Sequence, residues 1–203
     1  MRLFSYVVAR DYGFAPNPFF GMCTLVTCKP RIRSAANIGD WVVGTGSTKK
    51  KRQGYLVYAM QVTEAMSYNQ YWNDSRFNNK KPNLQGSVKQ AYGDNIYFKD
   101  DLGHWHQQNS HHSHRDGSPN CANICHDTKT DRILVSTNYI YLGRSKIVIP
   151  RRFRNYNGTD ICALRNHKSN FPAEMVNDFA TWVQSLDMNG FHDEPLDWEK
   201  WHE

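Results

Sequence analysis

Six of the nine histidines, His104, His106, His111, His112, His114 and His126, fall in one stretch that also holds Asp116, Asn120, Asn123, Asp127 and Asp131. Imidazoles titrate near neutral pH and both donate and accept hydrogen bonds; carboxylates hold protons or face positive charge, and amides read base edges. A segment of this composition suits general acid and base work or the recognition of nucleobases and phosphates. Asp127 leads among the acids, because DTKTDR sets two carboxylates and Arg132 at the entrance to a strand, where a rigid scaffold aims them. Asp131 with Arg132 reads equally as a structural ion pair, and Asp116, in HRDGSPN, as a turn residue beside Gly117 and Pro119.

The chemistry that fits this set is cleavage of a nucleobase from its sugar. The reaction passes through a cationic, oxocarbenium-like sugar, so one ionised carboxylate stabilises the charge and holds the attacking water. The departing base carries negative charge, which a donor such as His112 or Asn120 meets, each well-placed group contributing on the order of 3 kcal/mol. Asp127, His112, Asn120 and Asp116 are therefore the candidate catalytic residues. A base taken out of its stack also needs aromatic faces and polar edges. Tyr97, Trp105 and Tyr12 supply the faces; Asn95, Asn123 and Arg132 supply the edges. Core packing is the competing role for each aromatic.

Other chemistries lack their signatures. Cys121, Cys125 and His126 lie near His111, His112 and His114, but CxxxCH is no standard zinc spacing. HExxH is absent, as is the paired HxE and PCxxC of zinc deaminases. There is no GxxxxGK[ST] loop, strand-linked GxGxxG or GxSxG elbow, and GTGS at Gly44 to Ser47 reads as a hairpin turn as readily as a phosphate cradle. No metal and no cofactor is assigned.

The net charge of +6 is unevenly spread: residues 1–170 hold 24 Lys and Arg against 11 acids, and residues 171–203 hold one Lys against eight. A basic body favours a polyanion, DNA above all, with Arg31, Arg33, Lys49, Lys50, Lys51, Arg52, Arg151, Arg152 and Arg154 as candidate backbone contacts. Solvated loops are the competing role for these basic runs. Five cysteines, an odd number in a chain that buries roughly 70% of its unfolded surface without staples, indicate free thiols and a cytoplasmic setting. No apolar run reaches the ~18 residues of a membrane span, and MRLFSYVVAR reads as a strand rather than an export signal.

The elements that must position these groups follow from patterning. Residues 3–9, 41–44, 55–62, 95–98, 105–107, 133–136, 139–142 and 146–149 read as strands, and the basic loop after GTGS joins a hairpin. Tyr68, Tyr71, Trp72 and Phe77 recur at helical spacing and face a core. A final amphipathic helix has Asn170 as N-cap, Pro172 in its first turn, an apolar face of Met175, Phe179, Trp182, Val183 and Leu186, and Gly190 as its end. The segment with Phe191, Trp198 and Trp201 either lies across the body or competes with nucleic acid as an acidic arm. The expectation is one α+β domain over 1–203, with a polar insertion at 80–131 and a helix and acidic tail at 171–203.

GDWVVGTGS followed by YLVYAMQVTEAMSYNQYW resembles the PUA-like class of small mixed β-barrels, including the EVE type. More broadly, SYVVARDYGFAPNPFFG, GDWVVGTGS, GDNIYF, SHHS and DTKTDRILVS resemble the second type of nucleotide modification associated domain, a family of bacterial and phage proteins. That resemblance implies a PUA-like barrel with peripheral helices and an association with modified bases in DNA, in the setting of phage and host conflict. It implies no catalytic residues. The expected activity is a glycosylase-like hydrolase that excises a modified base. The alternatives are a non-catalytic reader of such bases and a metal-dependent nuclease. The Gly39–Asp40 turn reads as structural, since Gly-Asp is an ordinary solution to a tight bend.

Overall fold

The computed structural model describes residues 1–198; Trp201, expected in the acidic terminal segment, lies outside the described residues. The chain forms two compact units from interleaved stretches, one from residues 1–12, 36–63 and 136 onward, the other from 13–35 and 64–135.

In the first unit the β-branched and aromatic run LFSYVV makes the strand Leu3–Val8, which pairs in parallel with Trp41–Gly46. Trp41–Gly46 then pairs antiparallel with Tyr55–Gln61 across the basic loop, as the hairpin pattern requires. Asn138–Tyr141 continues the sheet, His167–Lys168 and Gly190–Phe191 form its edges, and Ile147–Val148 adds to the Tyr55 end. The α+β class stands, but this seven-stranded sheet is open; among the described residues no closed barrel forms. Gly44 is required here, since a Cβ would meet the Tyr58 ring at 2.4 Å.

Gly39 takes a φ of 88°, and the Asp40 carboxylate accepts from the backbone N–H groups of Arg2 (2.7 Å) and Asn37 (2.9 Å) and from Arg2 Nε (3.1 Å). The turn thus fastens the starts of the two parallel strands. Helix Ala173–Ser185 buries Met175, Val176, Phe179, Ala180 and Val183 against Leu3, Trp41, Val43, Leu56 and Ile140, with Trp182 and Leu186 at the margin. Its start and end differ from the expected ones. Pro172 has an extended ψ of 142°, so it caps the helix rather than joining it, and the helix stops at Ser185, before Gly190 opens an edge strand. The acidic segment lies on this unit as far as Trp198. Asp11 accepts from Tyr141 Oη (2.6 Å) and Leu196 N (3.0 Å), Asp197 meets Arg52 at 3.0 Å, and Trp198 Nε1 donates to the Tyr12 carbonyl.

The second unit holds a three-stranded sheet ordered Cys23–Leu25, Ile133–Ser136, Glu64–Met66, and a hairpin of Tyr97–Lys99 with Trp105–Gln107. The aromatic stripe is divided. Ser67 caps helix Tyr68–Asn73 through a capping box with Gln70, and extended Asp74 ends it, so that Phe77 sits on a following 3-10 turn, Ser75–Lys80. Tyr68, Tyr71 and Phe77 are buried, and Trp72, half-buried, stacks on Phe98 at 4.2 Å. A polar cluster is sealed inside: Lys80 Nζ donates to Asn17 Oδ1 (2.6 Å), and Asp94 accepts from Thr24 Oγ1 (2.6 Å) and Tyr71 Oη (2.8 Å). Burial pulls the Lys80 ammonium down to about 8 against the opposing pull of Asp94. No helix of the described residues is long and apolar enough to cross a membrane.

Candidate active site

Cys28, His112 and Asp127, all in the second unit, form a hydrogen-bonded line. Asp127 Oδ2 lies 2.8 Å from His112 Nδ1, and His112 Nε2 lies 4.0 Å from Cys28 Sγ. The Asp127 side chain is 1% exposed, that of His112 16%, and Cys28 is half-buried. A buried carboxylate that fixes an imidazole, whose far nitrogen faces a thiol, is the arrangement that activates a cysteine nucleophile. The long sulfur contact is in keeping with a site that tightens when substrate arrives.

Local structure aims each member. Cys28 sits in a tight turn between strand Cys23–Leu25 and helix Pro30–Ala35. Cys28 and Lys29 have φ of 57° and 41°, a left-handed backbone that side-chain-bearing residues adopt at a cost on the order of 1 kcal/mol or more each. Surrounding bonds hold that conformation: Cys28 N donates to Asp127 Oδ1 (2.7 Å), and the Cys28 carbonyl accepts from Arg33 Nε (2.9 Å). His112 rides on a turn knitted by Ser110 and Ser113, its carbonyl accepts from Asn123 Nδ2 (2.8 Å), and its ring packs on buried Phe14 at 4.6 Å.

Asp127 does not stand at a strand entrance. It is the last residue of helix Cys121–Asp127, whose N-cap is Asn120, the side chain accepting from the N–H groups of Ala122 and Asn123. Three donors meet its carboxylate: Cys28 N–H, His112 Nδ1–H and Tyr97 Oη (3.0 Å). Tyr97 in turn accepts from Gln107 Nε2 (3.3 Å), and Gln107 Oε1 accepts from Asn120 N (2.7 Å). Burial first and the neighbouring Asp127 second raise the Tyr97 phenol, so it stays a donor.

Burial alone would depress the His112 imidazolium, but the hydrogen bonds to Asp127 and Cys28 outweigh it and raise the group to about 9. The imidazole is therefore cationic at neutral pH, with an Nε2–H facing the sulfur. A pKa raised in the folded state means that the fold binds this proton more tightly than the unfolded chain does. Its stabilisation is complete below the ordinary value of 6.5 and is lost as pH rises through about 9. Proton NMR of the His112 ring should show a midpoint near 9. In Asp127→Asn the largest opposition to burial is gone and only Cys28 still raises the group, so the midpoint should fall clearly below 9; an unmoved midpoint would refute the coupling.

The structure brings together His112, Asp127, Tyr97, Asn120 and Asn123 of the residues singled out by sequence, and it adds Cys28, Arg33, Gln107 and Phe14. Asp116 stands apart in an exposed turn, its carboxylate accepting from Ser118 N (3.0 Å) and Oγ (2.6 Å), which hold it below the usual range. Asn95 is buried with its amide on the Tyr71 and Phe77 carbonyls, so it offers no edge to a base. Trp105 packs edge-on against Tyr68, Arg132 contributes its carbonyl to Arg33, and Tyr12 belongs to the first unit. Arg31, Lys49, Lys51, Arg151 and Arg152 are exposed, while Lys50 and Arg52 face Asp197 and Arg154 pairs with Asp160. Arg33 is buried and reaches no phosphate: its guanidinium holds the carbonyls of Cys28, Asp127, Thr130 and Arg132. Cys121, Cys125 and His126 are exposed, and among the described residues no three His, Cys, Asp or Glu side chains gather as a metal-binding set.

No curated protein and no solved structure gives a significant match to the chain. One family model does match, over residues 1–202, essentially the whole chain: that of nucleotide modification associated domain 2. The chain belongs to the nucleotide modification associated domain 2 family.

Proposed function

We propose that this protein is a thiol-dependent hydrolase that removes acyl groups carried through an amide or ester on modified nucleotides, with DNA as the polymer that presents them. The observation that carries the reading is the Cys28–His112–Asp127 line, with a 2.8 Å imidazole–carboxylate bond and an imidazole nitrogen 4.0 Å from the sulfur. Convergent sites of this kind serve acyl transfer on unrelated folds. The Cys28 thiolate attacks the carbonyl carbon and a C–S bond forms. The C–N bond to the amine of the base breaks, and the amine leaves with the proton from His112 Nε2. Water then gives a proton back to His112 and attacks the thioester, the C–S bond breaks, and a carboxylic acid departs. Asp127 positions the imidazole and stabilises its charge throughout.

Base excision with Asp127 beside the sugar has less support, because that carboxylate is buried and already meets three donors. Incubation with N-acetylated deoxycytidine monophosphate, and with DNA carrying that base, distinguishes the two. Released acetate and an acetyl group trapped on Cys28 after acid quench are expected. Abasic sites without acetate would replace this reading with sugar–base cleavage, and neither product from any N-acylated base would remove it.

A further inference from the structure

We infer that the first unit carries a surface for the DNA backbone at the Tyr55 end of its sheet, and that the acidic segment before Trp198 occupies part of it as an internal stand-in for phosphate. The inference rests on DNA being the polymer named above and is independent of the thiol chemistry. Two stretches distant in sequence bring cations together there, and main-chain contacts fix their placement. Ile147–Val148 pairs with Leu56 and Tyr55, and Ile149 N donates to the Gly54 carbonyl (2.9 Å). Helix Arg151–Arg154 follows directly, and the Arg154 guanidinium lies so close to Gly54 that a Cβ on that glycine would meet Nη1 at 2.3 Å. Lys146 Nζ stands 5.3 Å from the centre of the Tyr55 ring. The loop that ends at Gly54 adds Lys49, Lys50, Lys51 and Arg52. Lys49, Lys51, Arg151 and Arg152 are exposed, so their charges face water.

The acidic segment shows what such a surface holds. Asp197 Oδ1 meets Arg52 Nη1 at 3.0 Å and Lys50 Nζ at 3.7 Å, and its side chain is only 10% exposed. Glu194 Oε2 meets Arg144 Nη1 at 2.7 Å, and Ser145 Oγ donates to Asp193 Oδ2 (2.7 Å). Bonds to the main chain lay the segment down: Arg144 N donates to the Glu194 carbonyl (2.9 Å), and Arg52 Nη2 to that of Leu196 (3.3 Å). Anionic oxygens thus already sit on three cations of the cluster. A phosphodiester presents the same chemistry, charged oxygens that accept from guanidinium and ammonium donors. Carboxylates held on these cations reduce the number that DNA can engage, and so oppose binding. Lying across the body and competing with nucleic acid are then one role rather than two.

Fluorescence anisotropy of a short labelled duplex of plain DNA, titrated with the full chain over a range of salt concentrations, tests this. Glu194→Gln/Asp197→Asn keeps the side-chain shapes and removes two charges. It should bind more tightly and steepen the fall of log affinity with log salt, by about 0.9 for each cation that gains a phosphate. Glu174→Gln/Asp187→Asn removes as much charge from exposed residues at the two ends of helix Ala173–Ser185, and should keep the wild-type slope. Lys49→Gln/Arg151→Gln should weaken binding and flatten the slope by about 0.9 per lost contact. Asp197 also accepts from Asp11 N (2.8 Å), so thermal melts accompany its variant; the pair at exposed Lys49 and Arg151 decides the surface if that variant unfolds. An unchanged slope in folded Glu194→Gln/Asp197→Asn, an equal steepening in the control pair, a wild-type slope in Lys49→Gln/Arg151→Gln, or binding to phosphatidylserine vesicles but not to DNA would overturn the inference. Release of acetate from the free nucleotide with no binding of DNA would remove this inference and leave the thiol reading; undiminished turnover in Cys28→Ala would do the reverse.

Discussion

Cys28→Ala should lower kcat/KM for release of acetate from N-acetylated deoxycytidine monophosphate by on the order of 10⁴ or more, because no other group on the line supplies the attacking atom. Positioning and acid catalysis by His112 survive the change, yet both act on a bond that nothing now attacks. Cys28→Ser should fall nearly as far. A serine hydroxyl is a far weaker nucleophile than a thiol, and His112, whose proton is held up to about 9, is a poor acceptor for the hydroxyl proton at neutral pH. Neither variant should unfold the protein, since Cys28 is half-buried and what holds its backbone, the Asp127 carboxylate and the Arg33 guanidinium, acts on its N–H and C=O. Thermal melts alongside the kinetics separate lost chemistry from lost fold. Activity within tenfold of wild type in Cys28→Ala would assign the line a structural role only.

The elements around the site were legible in the sequence to the degree that their information is local. Runs rich in apolar, β-branched and aromatic residues marked strands at 3–9, 41–44 and 55–62, which the fold places at 3–8, 41–46 and 55–61, and helical spacing marked the face that includes Met175, Phe179 and Val183. His112 and Asp127 stood out because they lie within one polar stretch. Their roles did not, because roles depend on what each atom touches. Asp127 was expected to face substrate from the entrance to a strand; instead Asn120 starts a short helix that carries it inward, and His112, Tyr97 and Cys28 donate to its oxygens. The Asn120 cap was the available signal for that helix. Cys28 is 84 residues from His112, and one cysteine among five carries no mark of a nucleophile until the chain folds. Its place in TCKPR, just before a proline that opens a helix, was the one hint of a strand–turn–helix. The PUA-like barrel was expected from a Gly-Asp turn that the fold uses only to fasten two strands, and such a turn is compatible with open and closed sheets alike.

Arg33 shows the same limit from the other side, and its removal carries the largest expected loss of stability. Basic residues are seldom buried, so PRIR reads as a surface contact for phosphate. Both Ile32 and Arg33 are nevertheless fully buried, and the guanidinium spends its donors on backbone carbonyls: Nε on Cys28 (2.9 Å), Nη1 on Arg132 (2.7 Å) and Thr130 (3.4 Å), Nη2 on Asp127. These carbonyls lie on the turn that presents the thiol and at the end of the helix that presents the carboxylate, so one side chain ties two legs of the line together. Arg33→Met keeps most of the volume but leaves several buried acceptors unsatisfied, at about 1–3 kcal/mol each where water cannot replace the donor. Partial relaxation and water entry reduce the total, and the expected loss is about 3–5 kcal/mol in urea unfolding. Arg33→Lys should recover little of it, since a single ammonium cannot span the four carbonyls that the planar fork reaches. If Arg33→Met costs less than about 1 kcal/mol, the range of an ordinary single hydrogen bond, then packing alone holds Cys28 and Asp127 in register. A full loss of stability together with a kcat/KM that drops in the variant while it is still folded would instead show that the guanidinium holds the thiol in its reactive setting.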